Sequence, residues 1–108
     1  MNNSLEWQDA KDSCISMGAH LLAIETEAEQ IWIQNEISAS GNAWWMGGTD
    51  AKSEGTFYWE HSNNTLNFTN WYNGEPNGGT GENCLEMFSG GDWNDKSCNS
   101  FLFYICEK

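Results

Sequence analysis

The chain has no arginine and only four basic residues against sixteen acidic ones, which leaves a formal charge of −12. A nucleic-acid surface needs a basic footprint, so that class of partner is excluded. The same deficit disfavours attachment to anionic lipid. No apolar run approaches the ~18 residues of a membrane span, and the segment after Met1 is not a signal peptide, so the chain reads as a mature secreted domain without membrane insertion. Proline is nearly missing, Pro76 being the one instance. No Cys-x-x-Cys pair occurs, and His20 and His61 stand far from any cysteine in sequence, which argues against zinc. No repeat, low-complexity tract or linker interrupts the 108 residues, so residues 1–108 read as one domain, long enough to bury a core.

Seven Trp, five Phe and three Tyr are many for this length and let a loop-rich fold bury area with few residues. Four cysteines suit a disulfide framework in an oxidising, extracellular compartment, with three connectivities open from sequence alone. Ser4 is a candidate cap for a helix from Leu5, with Trp7, Ala10, Cys14 and Met17 on one face and Gly18 as the stop. Ala19 to Ile24 reads as a short buried strand. Thr26 and Glu29 form a capping box that opens a second helix to about Ile37, with Ala28, Ile31, Trp32 and Asn35 on neighbouring turns and the Ile31-Trp32-Ile33 run assigned to the core. From Ala43 onward the pattern is strand and loop, with strands predicted at Trp44–Gly47, Phe57–His61, Leu85–Phe88 and Phe101–Ile105. Two helices followed by strands predict an α+β domain.

Chemistry concentrates between Glu75 and Asp95. Glu75, Asn77, Glu82, Asn94 and Asp95 supply carboxylate and amide oxygens, the donors a hard cation selects, and Ca²⁺ takes about six to eight of them. A cis Glu75–Pro76 bond would aim Glu75 and Asn77 at one point. Each carboxylate then keeps an oxygen that accepts, and each amide an NH₂ that donates. Glu75 with Asn77, and Glu82 with Asn94, form two such acceptor–donor pairs, suited to a sugar whose adjacent hydroxyls replace water on the cation. As isolated loop residues these groups would be ordinary turn formers; their joint order favours Ca²⁺.

These motifs resemble the C-type lectin-like carbohydrate-recognition domains. Glu75-Pro76-Asn77 is similar to the family's mannose-class motif, Trp93-Asn94-Asp95 to its second Ca²⁺ motif, and Trp45-Met46-Gly47-Gly48 to its core strand. The resemblance implies two helices, two small antiparallel sheets and a long Ca²⁺-binding loop. It also implies the disulfides Cys14–Cys106 and Cys84–Cys98. Its principal metal ligands are Glu75, Asn77, Glu82, Asn94 and Asp95, of which Glu75, Asn77, Glu82 and Asn94 also contact sugar. An auxiliary Ca²⁺ site would use Asp50, Glu54, Asn83 and the Glu82 carbonyl, although Asn83 stands where a carboxylate is common. The family's first strand has no counterpart beyond Met1–Asn3, and the edge this could leave open is a candidate contact for a homo-oligomer.

The expected function is Ca²⁺-dependent binding of mannose-type glycans: mannose, glucose, N-acetylglucosamine and fucose. Galactose binders of the family carry Gln-Pro-Asp, the reverse order of carboxylate and amide. The rival is a module for a non-sugar ligand, ice or a protein, on the same scaffold. An enzyme is not expected, since one ion would hold Glu75 and Glu82 ionised and no Ser-His-Asp or Cys-His constellation is evident.

Overall fold

The computed structural model describes residues 4–38, 41–52, 55–72 and 83–107. Helix α1 runs Trp7–Ser16 and not from Leu5, with Glu6 at the cap position and Ser4 outside it. Leu5 is instead held extended, exchanging backbone hydrogen bonds of 2.9 and 3.1 Å with Leu102. The first helical N–H, on Trp7, donates to the Cys98 carbonyl at 3.1 Å. Trp7, Ala10 and Cys14 are buried as their spacing predicts, but Met17 falls at the helix end and is 43% exposed. Gly18, at φ +75°, turns the chain out of the helix.

The strands are β1 (His20–Leu21), β2 (Trp44–Thr49), β3 (Tyr58–Trp59), β4 (Cys84–Met87), β5 (Trp93–Lys96), β6 (Phe103–Tyr104) and β7 (Cys106–Glu107). β1 and β7 pair antiparallel as a small sheet. The larger sheet follows the order β3-β2-β4-β5 in antiparallel pairs, and β6 joins β2 in parallel. Disulfides link Cys14 to Cys106 and Cys84 to Cys98. His20, at the start of β1, stacks on His61 with ring centroids 3.9 Å apart.

The central strands are buried on both faces, so they read as apolar runs without clean alternation. Met46, Leu85, Met87 and Trp93 face a core shared with Ile24, Ile33, Ile37 and Trp59. Trp45 and Cys84 belong to a second core with Trp7, Ala10, Cys14 and Tyr104. Two indoles fasten the latter: Trp7 Nε1 donates to the Met46 carbonyl and Trp45 Nε1 to the Leu5 carbonyl, each at 2.8 Å. Close approach of β2 and β4 requires Gly48, where a Cβ would lie 2.8 Å from Leu85 Cγ.

Helix α2 spans Glu27–Ile37, opened by the Thr26–Glu29 capping box. Its buried face is Gln30, Ile33 and Ile37, whereas Ile31 and Trp32 are 49% and 63% exposed. The expectation that Ile31 and Trp32 belong to the core is therefore corrected. Apolar residues lie around much of this helix, and a polar requirement chooses the face. Trp93 Nε1 donates to Gln30 Oε1 at 2.9 Å, and Gln30 Nε2 donates to the Gly91 carbonyl at 2.7 Å.

Candidate functional site

The Trp93-Asn94-Asp95 motif is the edge strand β5, not a loop. Its register against β4 sets Trp93 across from Met87, Asn94 from Glu86, Asp95 from Leu85 and Lys96 from Cys84. Asn94 is half-buried; Asp95 is buried. Asn94 Nδ2 donates to Glu86 Oε2 at 2.6 Å. Glu86 carries no signal of its own in the sequence; the register of β4 on β5 sets it opposite Asn94.

Beneath the strand, Trp93 is fully buried and meets Trp59, Phe68 and Trp71 edge-to-face at centroid distances of 5.8, 6.0 and 6.1 Å. Trp93 is thus core, and Trp71 packs against it partly buried. On the outer edge of β5, Trp93 N donates to the Asn70 carbonyl and Tyr72 N to the Trp93 carbonyl, both at 2.8 Å. Tyr72 is 51% exposed and stands edge-to-face with Phe88 at 5.6 Å. That pair gives the margin of β5 an aromatic surface.

Glu75, Asn77 and Glu82, with Pro76 between the first two, lie outside the described residues, as does Glu54. Both flanks of residues 73–82 are nevertheless anchored at the site. Tyr72 is bonded to β5, and the Asn83 carbonyl accepts from Asp50 N at 3.0 Å and Thr49 Oγ1 at 2.6 Å. Asp50 and Asn83, two of the auxiliary candidates, are thereby brought together. The Asp50 side chain is 2% exposed; Oδ2 accepts from Gly55 N at 2.8 Å, and Oδ1 has no hydrogen-bond partner among the described residues. A buried carboxylate oxygen left in that state suits a cation, which would supply the missing charge. No cluster of three or more His, Cys, Asp or Glu side chains is assembled among the described residues. A cleft of ≈ 660 Å³ lies between α2 and residues 104–107 and includes none of the candidate ligands.

Near Asp50, Tyr58 is buried on β3, and its phenol is pushed above the ordinary value of 10.0 by burial first and by the charges of Glu60 and Asp50 second.

The family model for the lectin C-type domain matches residues 3–108. The chain belongs to the C-type lectin domain family. CD209 antigen-like protein D of Mus musculus is 42% identical over 104 residues, which are 94% of this chain and 43% of that protein. CD209 antigen of Homo sapiens is 39% identical over 109 residues, or 99% of this chain and 27% of that protein. The chain therefore spans less than half the length of these curated relatives. Among solved structures, the mouse scavenger receptor C-type lectin carbohydrate-recognition domain superposes with a TM-score of 0.94 at 30% identity, covering 100% of this chain and 84% of that one. A Ca²⁺-dependent type II antifreeze protein in its Ca²⁺-free form gives a TM-score of 0.88 at 28% identity, covering 98% and 86%. Lectins of this family bind carbohydrate, typically bind Ca²⁺, face the extracellular side and are in general binding proteins, not enzymes. No described helix is long and apolar enough to cross a membrane.

Proposed function

We infer that this C-type lectin domain is a Ca²⁺-dependent, non-enzymatic receptor for mannose-type glycan ends. The observation that carries the reading is that the two flanks of residues 73–82 are bonded at the two ends of the β4–β5 hairpin, Tyr72 to Trp93 and Asn83, next to the Cys84–Lys96 pair, to Asp50. A segment bearing Glu75, Asn77 and Glu82 that leaves and returns there would have its oxygen donors within reach of Asn94 and Asp95. Those five side chains would hold the principal ion, and Asp50, Glu54, Asn83 and the Glu82 carbonyl an auxiliary one. Bound Ca²⁺ supplies a hard coordination centre on which two vicinal sugar hydroxyls replace water. In this reading Glu75 and Glu82 accept from the two hydroxyls while the amides of Asn77 and Asn94 donate to them. Carboxylate before amide in Glu75-Pro76-Asn77 selects equatorial 3- and 4-hydroxyls, as in mannose, glucose and N-acetylglucosamine, with fucose also accommodated. Such a site makes few contacts, so useful avidity requires several copies presented together, as a homo-oligomer or otherwise.

The likeness to the antifreeze protein supports a second reading, in which the same scaffold binds a non-sugar ligand such as ice or a protein. Chromatography on immobilised mannose separates the two. The lectin reading expects retention in Ca²⁺, elution by EDTA and by free mannose, and no elution by galactose. A protein that binds Ca²⁺ but passes through the column would favour the second reading.

A further inference from the structure

Glu86 is a carboxylate 2% exposed in the middle of β4, and it makes a 2.6 Å contact with one side chain of the candidate site. The contact is built by the sheet. One row of the register runs Tyr104, Trp45, Glu86, Asn94 across β6, β2, β4 and β5, so Glu86 is confined between a fully buried indole and the Asn94 amide. The Trp45 Nε1–H is already committed to the Leu5 carbonyl.

An asparagine side chain has two nearly isosteric ends, one that accepts and one that donates. Glu86 Oε2 accepts from Nδ2, so the donating end of Asn94 is the one turned toward it. We propose that Glu86 is the positioning residue of this site: it fixes the flip of the Asn94 amide so that Oδ1 is turned outward for a cation and the second Nδ2 proton remains for a ligand oxygen. The proposal rests on the Ca²⁺-dependent reading given above. It adds a buried group, not itself a ligand, that determines which atom of Asn94 the site presents. Partners of this kind, which orient a ligand through its other polar atom, typically change metal affinity by about 10–100-fold when removed.

The test uses Glu86→Ala and Glu86→Gln in the whole chain, stripped of metal and then titrated with Ca²⁺ by calorimetry. Glu86→Ala should weaken binding by about tenfold or more. Glu86→Gln, whose Oε1 still accepts, should restore most of the loss. A second arm reads the apo protein: in the ¹⁵N spectrum one Asn94 Nδ2 proton should lie downfield of the other asparagine side chains, and should return among them in Glu86→Ala. Melting in EDTA guards against a merely structural effect, because the Gln variant should retain wild-type stability. A wild type that binds no Ca²⁺ removes the lectin reading and this proposal together. A wild type that binds, with a Glu86→Ala variant of equal affinity or an unmoved Asn94 amide resonance, overturns this proposal alone.

Discussion

At Trp93 one indole joins three parts of the molecule. Its backbone pairs with β4 on one side and residues 70–72 on the other, its ring fills the core, and its N–H holds Gln30 of α2. Trp93→Phe keeps an aromatic ring but leaves Gln30 Oε1 without its donor, a loss of about 1–3 kcal/mol for an unsatisfied buried acceptor. Urea unfolding should show a lower midpoint for the variant, and an unchanged midpoint would refute the role given to this bond. Tyr58 makes stability depend on alkaline pH. Its folded value is raised above 10.0, so the native state keeps the phenolic proton where the unfolded chain has released it. Stability is therefore unaffected by Tyr58 below about pH 10 and falls as pH rises through the folded value. Tyr58→Phe should flatten that part of the alkaline limb, measured as the difference between the two unfolding curves; parallel curves would contradict the assignment.

Among the elements, those whose signals are local could be read before the structure. The capping box at Thr26 and Glu29 starts α2, and Gly18 ends the turn after α1, because both act within a few residues. The face of α2 could not be read, since Ile31, Trp32 and Ile33 offer apolar surface on several sides and Gln30 is buried for the sake of an indole 63 residues away. Leu5 likewise left its expected helix for a bridge to Leu102. At the site, the residues of β5 were visible as a motif, but Glu86 was silent because its meaning arises only from strand register. The β4–β5 hairpin is closed at its open end by Cys84–Cys98, a separation of 14 residues. Cys84→Ser with Cys98→Ser should cost about 3 kcal/mol by the chain-entropy account, and should weaken Ca²⁺ affinity as Asn83 and the edge of β5 drift apart. Thermal melting and calorimetry on the double variant check both parts, and full Ca²⁺ affinity in a destabilised variant would separate the bridge from the site.

For the whole molecule, the Cys14–Cys106 bridge encloses nearly every described element, with a separation of 92 residues. Thermodynamically it narrows the unfolded ensemble, as a long ring does. Its other consequence is mechanical. When the domain is pulled from its two ends, a load that enters before Cys14 and leaves after Cys106 crosses from one segment to the other through a single covalent bond. The first core, the larger sheet and the edge strand at the site lie in the loop, which carries no tension under that pull, whereas Trp7 and Ala10 of the second core stand on the loaded segment. Stretching the oxidised protein from those two segments should therefore release little length. After reduction, the same pull should unravel the ring and add roughly 300 Å of contour. Force spectroscopy in both redox states reads that difference directly. A long extension from the oxidised protein would show that the tension runs through the fold after all.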